Sequence, residues 1–137
     1  MKASTHLSFN GQCAAAFKFY ERAIGAKVTF SLTWGDSPMA EQVPPEWREK
    51  ICHASLSVGN DVISAADSPP QYYTQPNGFC VALSTSDLAE AERVFKALAE
   101  GGKVNMEFQK TFWSPGFGMA IDQFGIPWMV NCEPQAS

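Results

Sequence analysis

Two stretches of this chain carry the same alternation of apolar and polar positions. In the first, residues 4–10 (STHLSFN) read as a strand. Phe17, Tyr20 and Ile24 then recur at helical spacing, and Gly25 stands where a C-terminal cap belongs. Residues 26–34 (AKVTFSLTW), β-branched and aromatic, predict a second strand. Residues 51–58 set Ala54, Leu56 and Val58 against His53, Ser55 and Ser57, and Gly59-Asn60-Asp61 turns them into a returning strand, VISAA.

The second stretch opens at Gly78 with FCVALS. Asp87 followed by Glu90 is a capping box, ahead of a helical stripe at Ala91, Val94, Phe95 and Leu98 that stops at Gly101-Gly102. Strands follow at 103–108, 118–122 and 126–132, the last after the turn Asp122-Gln123-Phe124-Gly125. Gln12, Ala16 and Tyr20 recur 75 positions later as Asp87, Ala91 and Phe95. A period this long marks two copies of one supersecondary unit, βαβββ, in an α+β chain. The first copy spans 1–68, a Pro-rich linker 69–77 and the second copy 78–137; only the first has the acidic insertion at 35–50, which reads as a solvated loop or a functional one.

Composition narrows the partners. With 137 residues, 45% of them hydrophobic, the chain can bury a core unaided. A net charge of −4 with both signs scattered leaves no basic footprint for nucleic acid. No apolar run approaches a membrane span, and the start lacks a signal-peptide core, so no membrane partner is expected. The four cysteines are widely spaced without a CxxC pair, which predicts free thiols and a cytoplasmic protein.

The segments FYERAIGAKV, VPPEWREKICHASLSVGNDVISAADSPP and KTFWSPGFGMAIDQFGIPWMVNC resemble the PhnB-like branch of the vicinal-oxygen-chelate superfamily, alongside glyoxalase I, bleomycin-resistance proteins and extradiol dioxygenases. The resemblance implies paired βαβββ modules forming a U-shaped mixed sheet around a ligand cleft, with the helices outside. It also implies a homodimer. Some sequences of this branch are labelled demethylubiquinone methyltransferases, but no Gly-rich cofactor loop is visible here, so methyl transfer is not expected.

Enzymes of that superfamily hold a divalent metal through one residue on the first and last strand of each module. Counted in ungapped register, those positions fall on Thr5, Ser64, Cys80 and Met129. That set has no imidazole or carboxylate, so neither a bound metal nor another cofactor is expected. His6, one residue from Thr5, is expected to face the helix layer, because strand side chains alternate. His53 belongs to the polar face of its strand. Cys80 has no predicted base beside it and reads as an inert thiol. Asp67 and Asp122 read as turn-forming carboxylates.

The leading expectation is a protein binding a small molecule in a largely apolar cleft lined by Thr5, Leu7, Ser64, Cys80, Trp113, Met129 and Asn131. Trp113 and Phe112 are either stacking walls for a planar ligand or ordinary packing aromatics. One alternative is a metal-dependent lyase, isomerase or dioxygenase whose displaced site uses His6 or His53. The other is a non-catalytic dimerisation module.

Overall fold

The computed structural model describes residues 1–134, which form two compact units, Met1–Thr74 and the residues from Gln75 onward. The first contains strand β1 (Thr5–Phe9), helix α1 (Cys13–Ile24) and strands β2 (Lys27–Thr33), β3 (Ile51–Val58) and β4 (Asp61–Asp67). The second repeats the order with β5 (Val81–Thr85), α2 (Leu88–Ala99), β6 (Lys103–Gln109), β7 (Gly116–Ile121) and β8 (Pro127–Cys132). The sheets run β1-β4-β3-β2 and β5-β8-β7-β6, each with its first and last strands parallel and the rest antiparallel. Two βαβββ modules and an α+β class are therefore present, as the repeat predicts. The 35–50 insertion extends the β2–β3 ladder through Trp34 N–H to Lys50 and Gly35 N–H to Arg48, then makes two short 3-10 turns.

Each helix covers one face of its own sheet. In the first unit Leu7 and Phe9 point to α1, where Phe9 meets Phe17 edge-on at 6.4 Å between ring centres. Helix α2 turns Ala91, Val94, Phe95 and Leu98 inward. Beneath it β7 presents Gly116, Gly118 and Ala120, all buried. A Cβ on Gly118 would stand 2.6 Å from the Phe95 ring, so the small residues let the helix settle close to the strand.

The helix starts are capped differently. Asp87 accepts from Glu90 N–H at 3.1 Å, the predicted local cap. Helix α1 has no local side-chain cap; instead the Asp67 carboxylate, 54 residues away, accepts from Cys13 N–H at 2.9 Å. Its other oxygen accepts from Ile51 N–H at 2.8 Å, and its carbonyl accepts from the Trp34 indole. Asp67, read from sequence as a turn former, is thus a buried joint between α1, β3 and β4. Asp122 does form its turn, accepting from Phe124 and Ile126 N–H, and also takes the indole N–H of buried Trp128 at 2.8 Å.

Replacing Asp67 by Asn turns one acceptor into an amide NH2 facing an N–H donor. Asp67→Asn should lose about 1–3 kcal/mol in urea unfolding. Gly118→Ala should cost a similar amount, about 1–3 kcal/mol, by overpacking against Phe95. An unchanged midpoint in either variant would contradict the corresponding contact.

Candidate functional site

Alternation decides which side chains reach the uncovered faces. In the second unit the register aligns two rows across all four strands. One runs Gln109, Phe117, Asn131, Ser84 and the next Met106, Met119, Met129, Ala82. Three thioethers thus stand side by side on adjacent strands, about 4.8 Å apart in backbone spacing. Asn131 lies between Phe117 and Ser84, and its side-chain oxygen is closed off from water with no hydrogen-bond donor among the described residues. Neither row carries an ionisable side chain.

An aromatic corner flanks these rows. Trp113 meets Phe117 at 5.2 Å and Phe112 at 4.7 Å between ring centres, both edge-on. Phe112 is 97% exposed. The loop that carries them is pinned: Thr111 Oγ accepts from Trp113 and Ser114 N–H. The buried Ser114 hydroxyl lies 2.6 Å from the Cys132 carbonyl and 2.7 Å from that of Gly116, and accepts from Gly116 N–H. These bonds fix the position of Trp113 in the loop.

Among the expected site residues, Met129, Asn131 and Trp113 belong to this one region of the second unit, and Cys80 immediately precedes β5, two residues from Ala82. In the first unit β1 corrects two expectations. Leu7 is a core residue beneath α1, only 3% exposed, and Thr5 shares its side of the strand. His6, not Thr5, lies in register with Ser64, so the imidazole is on the uncovered face and not against the helix. The β1–β4 register decides this: Leu7 pairs with buried Ala65, and alternation then puts His6 and Ser64 on the other face. Met106, Met119 and Phe117 were missed. The signal for Phe117 and Met119 was the run GFGMAI, in which small residues alternate with large ones; Met106, in KVNMEFQ, had none.

His6, Ser64, Ser55 and Phe30 form a row across the first sheet, and His53 packs on Phe30 at 5.8 Å. Burial first, and then the positive charge of His53, hold the His6 imidazole below its usual pKa. Burial and the Asp67 charge push the Cys13 thiol up to about 12, which leaves it a poor nucleophile. Burial likewise raises the Asp67 carboxyl, against the backbone N–H groups of Ile51, Cys13 and Gly11 and the charge of Lys50, which favour its ionised form. Between α1 and β2–β3 a cavity of about 190 Å³ is floored by Phe17, Val28, Ile51 and Ala54. It is smaller than the roughly 300 Å³ at which drug-sized sites begin.

A zinc-type transition-metal site is built from three or four imidazole, thiolate or carboxylate ligands. Among the described residues no three His, Cys, Asp or Glu side chains come together, so the donors present do not fit such an ion. All four cysteines are free thiols, and no described helix is long and apolar enough to cross a membrane.

Because the folded protein favours neutral His6, its contribution to stability is complete above about pH 6.5. That contribution falls away as pH drops from there through the lowered folded value. NMR titration should place the His6 midpoint below the usual histidine value, and in His53→Asn the midpoint should rise part of the way back. A midpoint indifferent to His53 would separate the two imidazoles.

Residues 5–130 match the family model described as the glyoxalase/bleomycin resistance protein/dioxygenase superfamily. The chain is 34% identical to Protein YjdN of Escherichia coli K12 across 98% of its own length and 97% of that protein's. It superposes on the crystal structure of protein PA1353 from Pseudomonas aeruginosa with a TM-score of 0.88 and 43% identity, covering 98% of this chain and 99% of that one. A PhnB protein from Bacillus cereus, a putative 3-demethylubiquinone-9 3-methyltransferase, shares the fold at 20% identity and a TM-score of 0.81, with 96% and 99% covered. The model match and the full-length relatives agree: the chain belongs to the glyoxalase/bleomycin resistance protein/dioxygenase superfamily.

Proposed function

We propose that this protein binds an uncharged, largely apolar small molecule on the uncovered face of its second sheet, without a divalent metal. The observation that carries the reading is the row Met106, Met119, Met129 beside the pinned Trp113–Phe117 corner. Methionine has three rotatable bonds and a polarisable sulfur, so such a row adapts to varied apolar shapes. The fixed aromatic corner supplies orientation. Cys80, just before β5, remains a candidate contact of this reading. A homodimer is part of it too, supported by exposed Phe30 and Val104 on the edge strands β2 and β6.

A metal-dependent lyase or dioxygenase built on His6 and His53 would need carboxylates beside them, and among the described residues neither belongs to a group of three or more His, Cys, Asp or Glu. The family match supports a ligand-binding fold, but fold alone does not choose the ligand.

A thermal-shift screen of uncharged small molecules should yield hits whose Kd rises at least tenfold in a Met106→Ser/Met129→Ser protein, about 1.4 kcal/mol. Affinity should be unchanged in Lys18→Ala, at the first-unit cavity. Hits weakened only by Lys18→Ala, or no hits at all, would overturn the proposal.

A further inference from the structure

The rows on the second sheet differ in chemistry, and the difference describes the ligand. The row Met106, Met119, Met129, Ala82 is wholly apolar. The neighbouring row sets Asn131 between Phe117 and Ser84. Most buried side-chain oxygens have a donor, and one without it costs the fold about 1–3 kcal/mol. The Asn131 oxygen has none among the described residues. Such an amide would be replaced at no loss by an apolar side chain, unless something else supplies the donor.

Resting on the reading that this face binds a ligand, we propose that the ligand is a planar aromatic molecule carrying an N–H or O–H on or beside the ring, and that Asn131 accepts that proton donor. Thioether sulfurs make favourable contacts with aromatic rings, each worth about 0.3–1.5 kcal/mol. Three of them in register form a broad strip, and Ala82 at its end leaves room where a larger side chain would fill the row. Trp113, 44% exposed and gripped edge-on by Phe112 and Phe117, stands at the side of the row that holds Asn131. A ring lying on the methionines therefore directs its edge toward the amide. Reaching the closed-off oxygen requires neighbouring side chains to swing aside, and methionine does this readily. Lys103 is opposite Ile121 in the row beyond the methionines, and neither row itself carries a charge, so no charge is required of the ring.

Indole, 1-methylindole and benzofuran have nearly the same flat shape, and only indole offers an N–H. Titrations followed by NMR should show indole binding the full chain about 3- to 10-fold tighter than the other two, the ratio for one net hydrogen bond. In Asn131→Leu the three affinities should converge. That variant should also melt no lower than the parent, because it removes an unpaired acceptor. In Met106→Ser all three should weaken together.

Three equal affinities in the parent, still weakened by Met106→Ser, would overturn the donor assignment while leaving small-molecule binding on this face intact. Failure of all three probes, beside screen hits of another class that depend on Met106 and Met129, would overturn the aromatic assignment alone. A marked loss of melting temperature in Asn131→Leu would show the amide serving the fold and would also overturn the inference.

Discussion

One helix can cover only one face of a four-stranded sheet, and the rest of each module follows from that constraint. Period-two alternation sends half of every strand under the helix, where burial of apolar area supplies the stability. In the second unit the covered half of β7 is reduced to Gly116, Gly118 and Ala120 so that Phe95 and its neighbours fit against the strand. The other half of the same strand, Phe117, Met119 and Ile121, points to the opposite face. Packing on one side and the candidate ligand face on the other are two consequences of a single six-residue run.

The two modules spend their polar groups differently. In the first, Asp67 is buried to join a helix start to two strands, with its carboxylate fully employed by backbone N–H groups. In the second, Ser114 and Asp122 hold loops and turns, while Asn131 has an oxygen left over. An employed buried group and an unemployed one are both departures from an apolar core. Only the first is explained by the fold itself.

Much of this was legible in the residues. The 75-position recurrence disclosed the duplication, Asp87 and Gly25 marked helix ends, and alternation in 51–58 placed Ala54 and Leu56 inside. What escaped depended on geometry that does not repeat. The pairing of β1 with β4 put Leu7 in the core and His6 on the uncovered face, a register set by a strand more than 50 residues away. The Asp67 cap joins residues 54 positions apart, beyond any local pattern. The methionine row needs the register of three strands, including irregularities in β6 on both sides of Met106, before it exists at all.

The five methionines give a direct test, because three stand in the proposed row and Met1 and Met39 belong to the other unit. Methyl-labelled methionine NMR, recorded as a hit from the small-molecule screen is added, reads all five at once. Shifts confined to Met106, Met119 and Met129 are the predicted result. Shifts at Met39 with the row unmoved, while the same molecule binds, would contradict the assignment of the ligand face.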